Sequence, residues 1–343
     1  MRHLVFATLL FSFGSAHAGL IREDIGELKI HDLLLRPSFT LSEPKSGAFS
    51  MGESSFALRW ELEEKYSGVI RIGPRSLLNP TARYSPVVKD EVTLVEAFAE
   101  YNDAYGRVRL GRLPVEFGYE GRQWERNLIF PRALLFQKRA MMLRDVGASY
   151  DISHNNFYTG LVIHNGESDT DVDGQTWLTA RWGYRTEPFE IGLAGQTGKT
   201  KPAATKDSND ILAGVVPTKD AHWRIGGLYT ALNRRKLEWI FEFYMGEVEQ
   251  EKTVGKFNTG HTDLSYEWSK LFSTHLRWDQ FEPDTKVAGD ALRAASLALV
   301  LSNRTHSSNL ILVGTKKFEQ GTQIANDELR FIWSLSPSGV VRF

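Results

Sequence analysis

The chain has 343 residues, no cysteine and a formal charge of −1 at pH 7. The missing thiols exclude a disulfide framework and thiolate metal sites. The near-neutral balance argues against a nucleic-acid binder.

Arg2 and His3 precede an apolar run from Leu4 to Phe13, followed by Ala16-His17-Ala18. A charged start, a short apolar stretch and a small-x-small site predict a signal peptide over 1–18 and a single mature domain over 19–343. The run is too short for a helical membrane span, which needs about 20 residues, and no later stretch is more apolar. An uncleaved N-terminal anchor is the alternative.

Beyond it, two-residue alternation recurs along the chain, the period of a strand with one polar and one apolar face. Sixteen strands are predicted: 33–42, 54–64, 67–74, 92–102, 106–118, 143–151, 156–164, 175–185, 188–197, 222–232, 236–247, 261–269, 272–281, 292–302, 308–317 and 328–343. In 236–247, Leu237, Trp239, Phe241, Phe243 and Met245 share one face, with Glu238, Glu242 and Tyr244 opposite. In 54–64, Phe56, Leu58, Trp60 and Leu62 oppose Arg59, Glu61 and Glu63. The last strand sets Leu329, Phe331, Trp333, Leu335, Val341 and terminal Phe343 on one parity. A terminal aromatic is typical of outer-membrane barrels, so Phe343 is the expected assembly signal and the barrel-assembly machinery an expected partner.

The connections carry as much information. Tight links near Tyr66-Ser67, Asp103-Ala104, His154-Asn155, Thr186-Glu187, Arg234-Arg235, Lys270-Leu271 and Asn303-Arg304 alternate with long ones at 43–53, 75–91, 119–142, 165–174, 198–221, 248–260, 282–291 and 318–327. Short turns on one side and long loops on the other are the pattern of a transmembrane β-barrel. The expected fold is therefore all-β: an antiparallel barrel of about sixteen strands in the bacterial outer membrane. Its turns would be periplasmic and its loops outward, facing lipid and lipopolysaccharide.

Before Gly111, Arg107 and Arg109 hold the polar parity; after it, Arg112 and Glu116 do. The switch suggests a β-bulge at Gly111. An undisturbed strand with one arginine parity forced outward is the alternative.

The middle of the chain resembles the phosphate-selective porin O/P family of outer-membrane channels. The residues that carry the resemblance are Val95-Glu96-Ala97-Phe98-Ala99-Glu100-Tyr101, then Leu110-Gly111-Arg112-Leu113-Pro114-Val115-Glu116-Phe117-Gly118-Tyr119-Glu120. Glu125-Arg126-Asn127-Leu128, Arg144-Asp145-Val146-Gly147, Asn165-Gly166 and Thr179-Ala180-Arg181 follow in family order. The resemblance implies a sixteen-stranded, trimeric porin passing anions or small hydrophilic solutes through a pore narrowed by an inward-folded third loop. That ordinal position belongs to 119–142. Arg144 matches a family position but falls on the lipid-facing parity, which puts it at the rim.

Residues 107–144 hold nine basic side chains against Glu116, Glu120 and Glu125, an excess of six. Within them Asn127–Met141 is apolar and basic, with Arg132 and Arg139 on one face if helical. Folded inward, Arg112, Arg122, Arg126, Arg132, Lys138 and Arg139 would line an anion-favouring constriction. On the remaining strands the polar parity gives a basic wall of Arg36, Arg59, Arg71 and Arg330. Across the barrel it gives an acidic wall of Glu238, Glu242, Asp263, Glu267 and Asp279.

Asp169-Thr170-Asp171-Val172-Asp173-Gly174 opens like a calcium loop, but Ala180 stands where an EF-hand needs a bidentate glutamate. It reads as a solvated loop or a lipopolysaccharide-bridging cation site, and no metal or cofactor is expected. A hydrolase is the rival class, with His164 and Ser168 the most site-like pair. A plugged structural or adhesin barrel is a third.

Overall fold

The computed structural model describes residues 27–42, 45–78, 91–138, 140–166, 174–201, 220–251, 253–303, 305, 307–319 and 327–336. Among them are eighteen strands: β1 (Glu27–Leu34), β2 (Ser38–Ser42), β3 (Lys45–Ser50), β4 (Ser55–Leu62), β5 (Tyr66–Pro74), β6 (Val92–Asn102), β7 (Arg107–Pro114), β8 (Arg144–His154) and β9 (Phe157–His164) come first. They continue as β10 (Trp177–Arg185), β11 (Phe189–Thr200), β12 (Ala221–Arg234), β13 (Leu237–Gln250), β14 (Thr253–Ser269), β15 (Phe272–Glu282), β16 (Leu292–Ser302), β17 (Ser308–Glu319) and β18 (Glu328–Leu335).

All belong to one antiparallel sheet. From β4 each strand pairs with the next, as far as β18, whose other neighbour is β2. β2 pairs with β3, and β1 with β4.

The expected count was sixteen. The surplus comes from the first hairpin, where each stave is divided in two. Pro37 has no N–H for the ladder, and Arg36 turns its backbone N–H to Ser54 Oγ at 2.8 Å. Opposite, Gly52 sits at φ +61, where a Cβ would lie 2.0 Å from the Arg36 carbonyl. β3 was read as loop because Lys-Ser-Gly-Ala-Phe-Ser has turn composition. The connection expected at 248–260 is also strand: Gln250 pairs with Thr253. β13 and β14 run 14 and 17 residues, beyond the 9–11 that span a bilayer, so this hairpin extends past the apolar band.

Leu264, Leu276, Trp278, Leu297, Leu299, Leu310, Phe331 and Trp333 are exposed on the outer face, while Arg71, Glu96, Arg109, Glu242, His261, Arg277 and Asp279 are buried on the inner one. Soluble proteins do the reverse, and they rarely expose contiguous apolar area on this scale. The alternation in the sequence is thus an inside-out one.

No face switch occurs at Gly111. It pairs in unbroken register with Phe98 and with Gly147, so no residue is inserted there, although its φ is +130. Arg112 therefore stays on the outer parity of Val108 and Leu110 and donates to the Leu94 carbonyl at 3.0 Å. It does not join the constriction group. The neighbouring β5–β6 pair does shift register, after Arg71 and Glu96.

Candidate functional site: the inward loop

The link between β7 and β8 folds against the inner face. Its neck is closed by the Val115 N–H donating to the Leu143 carbonyl at 2.9 Å. In between, the chain makes 3-10 turns at Glu120–Arg122 and Glu125–Asn127 and one helical turn at Leu134–Gln137. Among the described residues of 127–141 only Leu134–Gln137 is α-helical, so Arg132 lies outside the helical turn, and Arg139 lies outside the described residues.

The loop meets the wall at widely separated strands. Phe117 packs on Tyr244 of β13, ring centroids 4.7 Å apart. Glu242 of β13 accepts the backbone N–H groups of Tyr119 and of Glu120, the latter at 3.1 Å. This approach requires Gly118, at φ +66, where a Cβ would stand 2.1 Å from the Tyr244 hydroxyl. Trp124 lies beneath Arg71 of β5, the guanidinium carbon 4.6 Å from a ring centroid. Arg36 donates to the carbonyls of Glu125 and Leu128. Phe130 enters an apolar cluster of Ala298, Val300, Ile311, Val313 and Ile332 on β16, β17 and β18. The Leu134 N–H returns to Asp279 of β15 at 2.9 Å.

Ion pairs fasten these contacts. Arg277 of β15 donates to both oxygens of Glu120 at 3.1 Å. Glu125 pairs with Arg144 at 2.9 Å and with Arg132 at 3.1 Å. Arg144 also reaches Glu96 at 2.7 Å and the Leu77 carbonyl at 2.6 Å. It is buried between the loop and the wall, not at the rim, because oxygens of three residues, Glu96, Leu77 and Glu125, satisfy its guanidinium there.

Two of the arginines expected to face passing anions are likewise engaged. Arg122 is paired with Glu190 and packed beside Tyr158 and Tyr229. Arg132 donates to the Glu120 carbonyl and to that of Gln123 at 2.7 Å. Lys138 is half-buried. Arg126 differs: its side chain is 46% exposed, 3.6 Å from Asp32.

The basic wall is interleaved with acids. Arg36 meets Glu53 at 3.0 Å, Arg59 meets Glu100 at 2.8 Å, Arg71 meets Asp32 at 2.7 Å and Glu96 at 3.1 Å, and Arg330 meets Glu328. Opposite, Asp263 and Asp279 approach Arg277 at 3.3 and 3.8 Å, Glu238 is half-buried and Glu267 exposed. The basic wall is therefore compensated locally, whereas Asp263 and Asp279 of the acidic wall share Arg277. Periodicity assigned the faces but not these partners, although Glu96 and Glu100 of β6 stand on a shared inner parity that signalled them.

Burial pushes the Glu120 carboxyl up, but Arg277, His261 and Arg132 outweigh it and hold the group down at about 2, from 4.5. Glu116 is lowered the same way by Arg181, Arg109 and Arg107 against its burial. A carboxyl depressed on folding stabilises the folded loop above its unfolded value, and that stability is lost as pH falls through the folded one. The Trp124 fluorescence of the seated loop is expected to hold from about pH 7 to about pH 5 and to change progressively below 4.5 toward 2. Release completed above pH 5 would contradict this.

Hydrolytic geometry is weak. His164 is buried, held by Asp145 at 2.8 Å and Thr179 at 2.9 Å, while Ser168 lies outside the described residues. His275 touches Ser265 at 2.6 Å and Ser273 at 2.8 Å, with no carboxylate of the described residues on either nitrogen. The third, orienting acid of a catalytic triad is lacking there. Residues 1–18, Asp169–Asp173 and Phe343 also lie outside the described residues.

No family model and no curated protein matches the chain. Solved structures share its fold at low identity. Outer-membrane OmpT of Vibrio cholerae has 8% identity and a TM-score of 0.67, over 92% of this chain and 99% of that one. The anion-selective porin from Comamonas acidovorans has 12% identity and a TM-score of 0.63, over 90% and 98%. The outer membrane channel DcaP of Acinetobacter baumannii has 9% identity and a TM-score of 0.63, over 90% and 96%. The chain thus has the antiparallel β fold of outer-membrane porins.

Proposed function

We propose that this chain is an outer-membrane porin. We take the pairing of β18 with β2 and of β1 with β4 to close a barrel of sixteen staves, each divided stave of the first hairpin counted as one. Barrels of this size leave an aqueous channel. Small hydrophilic solutes diffuse through it passively, past the inward loop. The observation that carries this reading is the inverted distribution of side chains, with a charged inner face, an apolar outer face and a loop fastened inside.

Anions are favoured modestly. Arg122 and Arg132 are held by carboxylates, whereas Arg126, although 3.6 Å from Asp32, keeps its side chain 46% exposed and is the described loop arginine most open to a passing solute. Trimerisation follows the family resemblance, and the outer apolar face serves lipid and neighbouring subunits alike. The likeness to an anion-selective porin supports the anion bias. Specific phosphate preference is not part of the proposal.

Purified protein in planar bilayers is expected to give stepwise conductance with a small anion bias that Arg126→Ala abolishes. An unchanged reversal potential would reject the role of Arg126. A second reading draws on the loop's contacts around the inner face, which favour a plugged structural barrel; bilayers silent for the wild type but conducting for a loop-excised variant would establish it.

A further inference from the structure

A histidine stands at the seat of the inward loop. His261 of β14 is buried, and its Nε2 has no hydrogen-bond partner. It faces Glu242 Oε2 at 3.7 Å. These two residues are direct cross-strand partners in the β13–β14 ladder, so the backbone fixes their spacing. Glu242 spends its other oxygen, Oε1, on the Tyr119 and Glu120 N–H groups and on the Tyr244 hydroxyl at 3.2 Å. The loop then brings a third donor: one ligand atom each from Glu120, Glu242 and His261 lie within 4.8 Å of one another.

Charge points the same way. Glu120, Asp263 and Asp279 gather around one guanidinium, Arg277, and buried Glu242 stands beside Glu120. An orphaned imidazole nitrogen beside an excess of carboxylates is a place where a cation removes two costs at once: the unpaired acceptor and the unbalanced negative charge. One nitrogen and two carboxylate oxygens suit a borderline divalent ion such as zinc, with a water in the fourth position, better than calcium, which takes six to eight oxygens.

We propose that Glu120, Glu242 and His261 bind one divalent transition-metal ion of the zinc type, which fastens the inward loop to β13 and β14. Two ligands come from the wall and one from the loop, so binding is linked to loop seating. Arg277 shares Glu120 with the ion, which lowers affinity below that of an all-acidic site and makes the fastening reversible. The inference concerns the loop's attachment and does not depend on conduction.

The test uses the full chain in detergent, stripped with a chelator and titrated with zinc alone. One zinc per chain is expected, with the wild-type unfolding temperature raised. His261→Gln and Glu242→Gln are each expected to lose at least about tenfold in affinity, while His275→Gln keeps it. X-ray absorption of zinc-loaded wild type provides a readout that needs no variant to fold, and is expected to show imidazole nitrogen and carboxylate oxygen around the ion. Sub-stoichiometric zinc, equal affinity in all three variants, or an ion coordinated without imidazole would overturn the proposal.

Discussion

Arg144→Ala is expected to destabilise the protein by about 3–5 kcal/mol, the cost of removing one partner from a buried ion pair. The mechanism is specific. Glu96 and Glu125 both lose a cation at 2.7 and 2.9 Å, and the Leu77 carbonyl loses a donor at 2.6 Å. Arg71 still holds Glu96 and Arg132 still holds Glu125, which sets the expectation toward the lower end. Urea unfolding in detergent reads the loss. Arg126→Ala provides the contrast: its exposed guanidinium is expected to contribute within about 0.5 kcal/mol. Equal effects of the two substitutions would mean that Arg144 is not buried between loop and wall.

Excising residues 116–142 and joining the neck with Asn-Gly is expected to raise single-channel conductance roughly threefold or more, because an unfilled sixteen-stranded barrel leaves a wide channel. The neck tolerates closure, since Val115 already donates to the Leu143 carbonyl at 2.9 Å. The same change removes Glu116, Glu120 and Glu125 from among their wall arginines. It also removes Arg122, Arg126, Arg132, Lys138 and Arg139, so the anion bias is expected to fall as the conductance rises. An unchanged conductance would show that the loop does not limit flow.

How much of this was legible in the sequence depends on which force wrote each feature. Lipid outside and polar groups inside impose a period of two, so β13, β14 and β18 could be read directly from Leu237, Trp239, Leu264, Phe331 and Trp333. β3 could not, because Gly47 and the serines around it carry turn chemistry while pairing with β2 supplies the strand. The inward position of loop 3 came from a family resemblance rather than from periodicity. Its electrostatics came out differently from the expectation because charge counting sees the loop alone. Arg122 and Arg132 look available until Glu190 arrives from β11 and Glu125 from across a turn. Arg144 was assigned outward by parity, yet as the first residue of β8 it is drawn inward by Glu96 and Glu125. Long-range partnership is what local alternation does not encode.

The inside-out arrangement underlies all of these conclusions, and the absence of native cysteine allows it to be measured residue by residue. Single spin labels would be placed at Leu264, Leu276 and Leu299 for the outer face and at Glu238 and Ser273 for the inner, in protein reconstituted into lipid. The outer labels are expected to be relaxed by lipid-soluble oxygen and shielded from a water-soluble nickel complex, and the inner ones to show the opposite. Nickel access at Leu264, Leu276 and Leu299 with oxygen access at Glu238 and Ser273 would contradict the account.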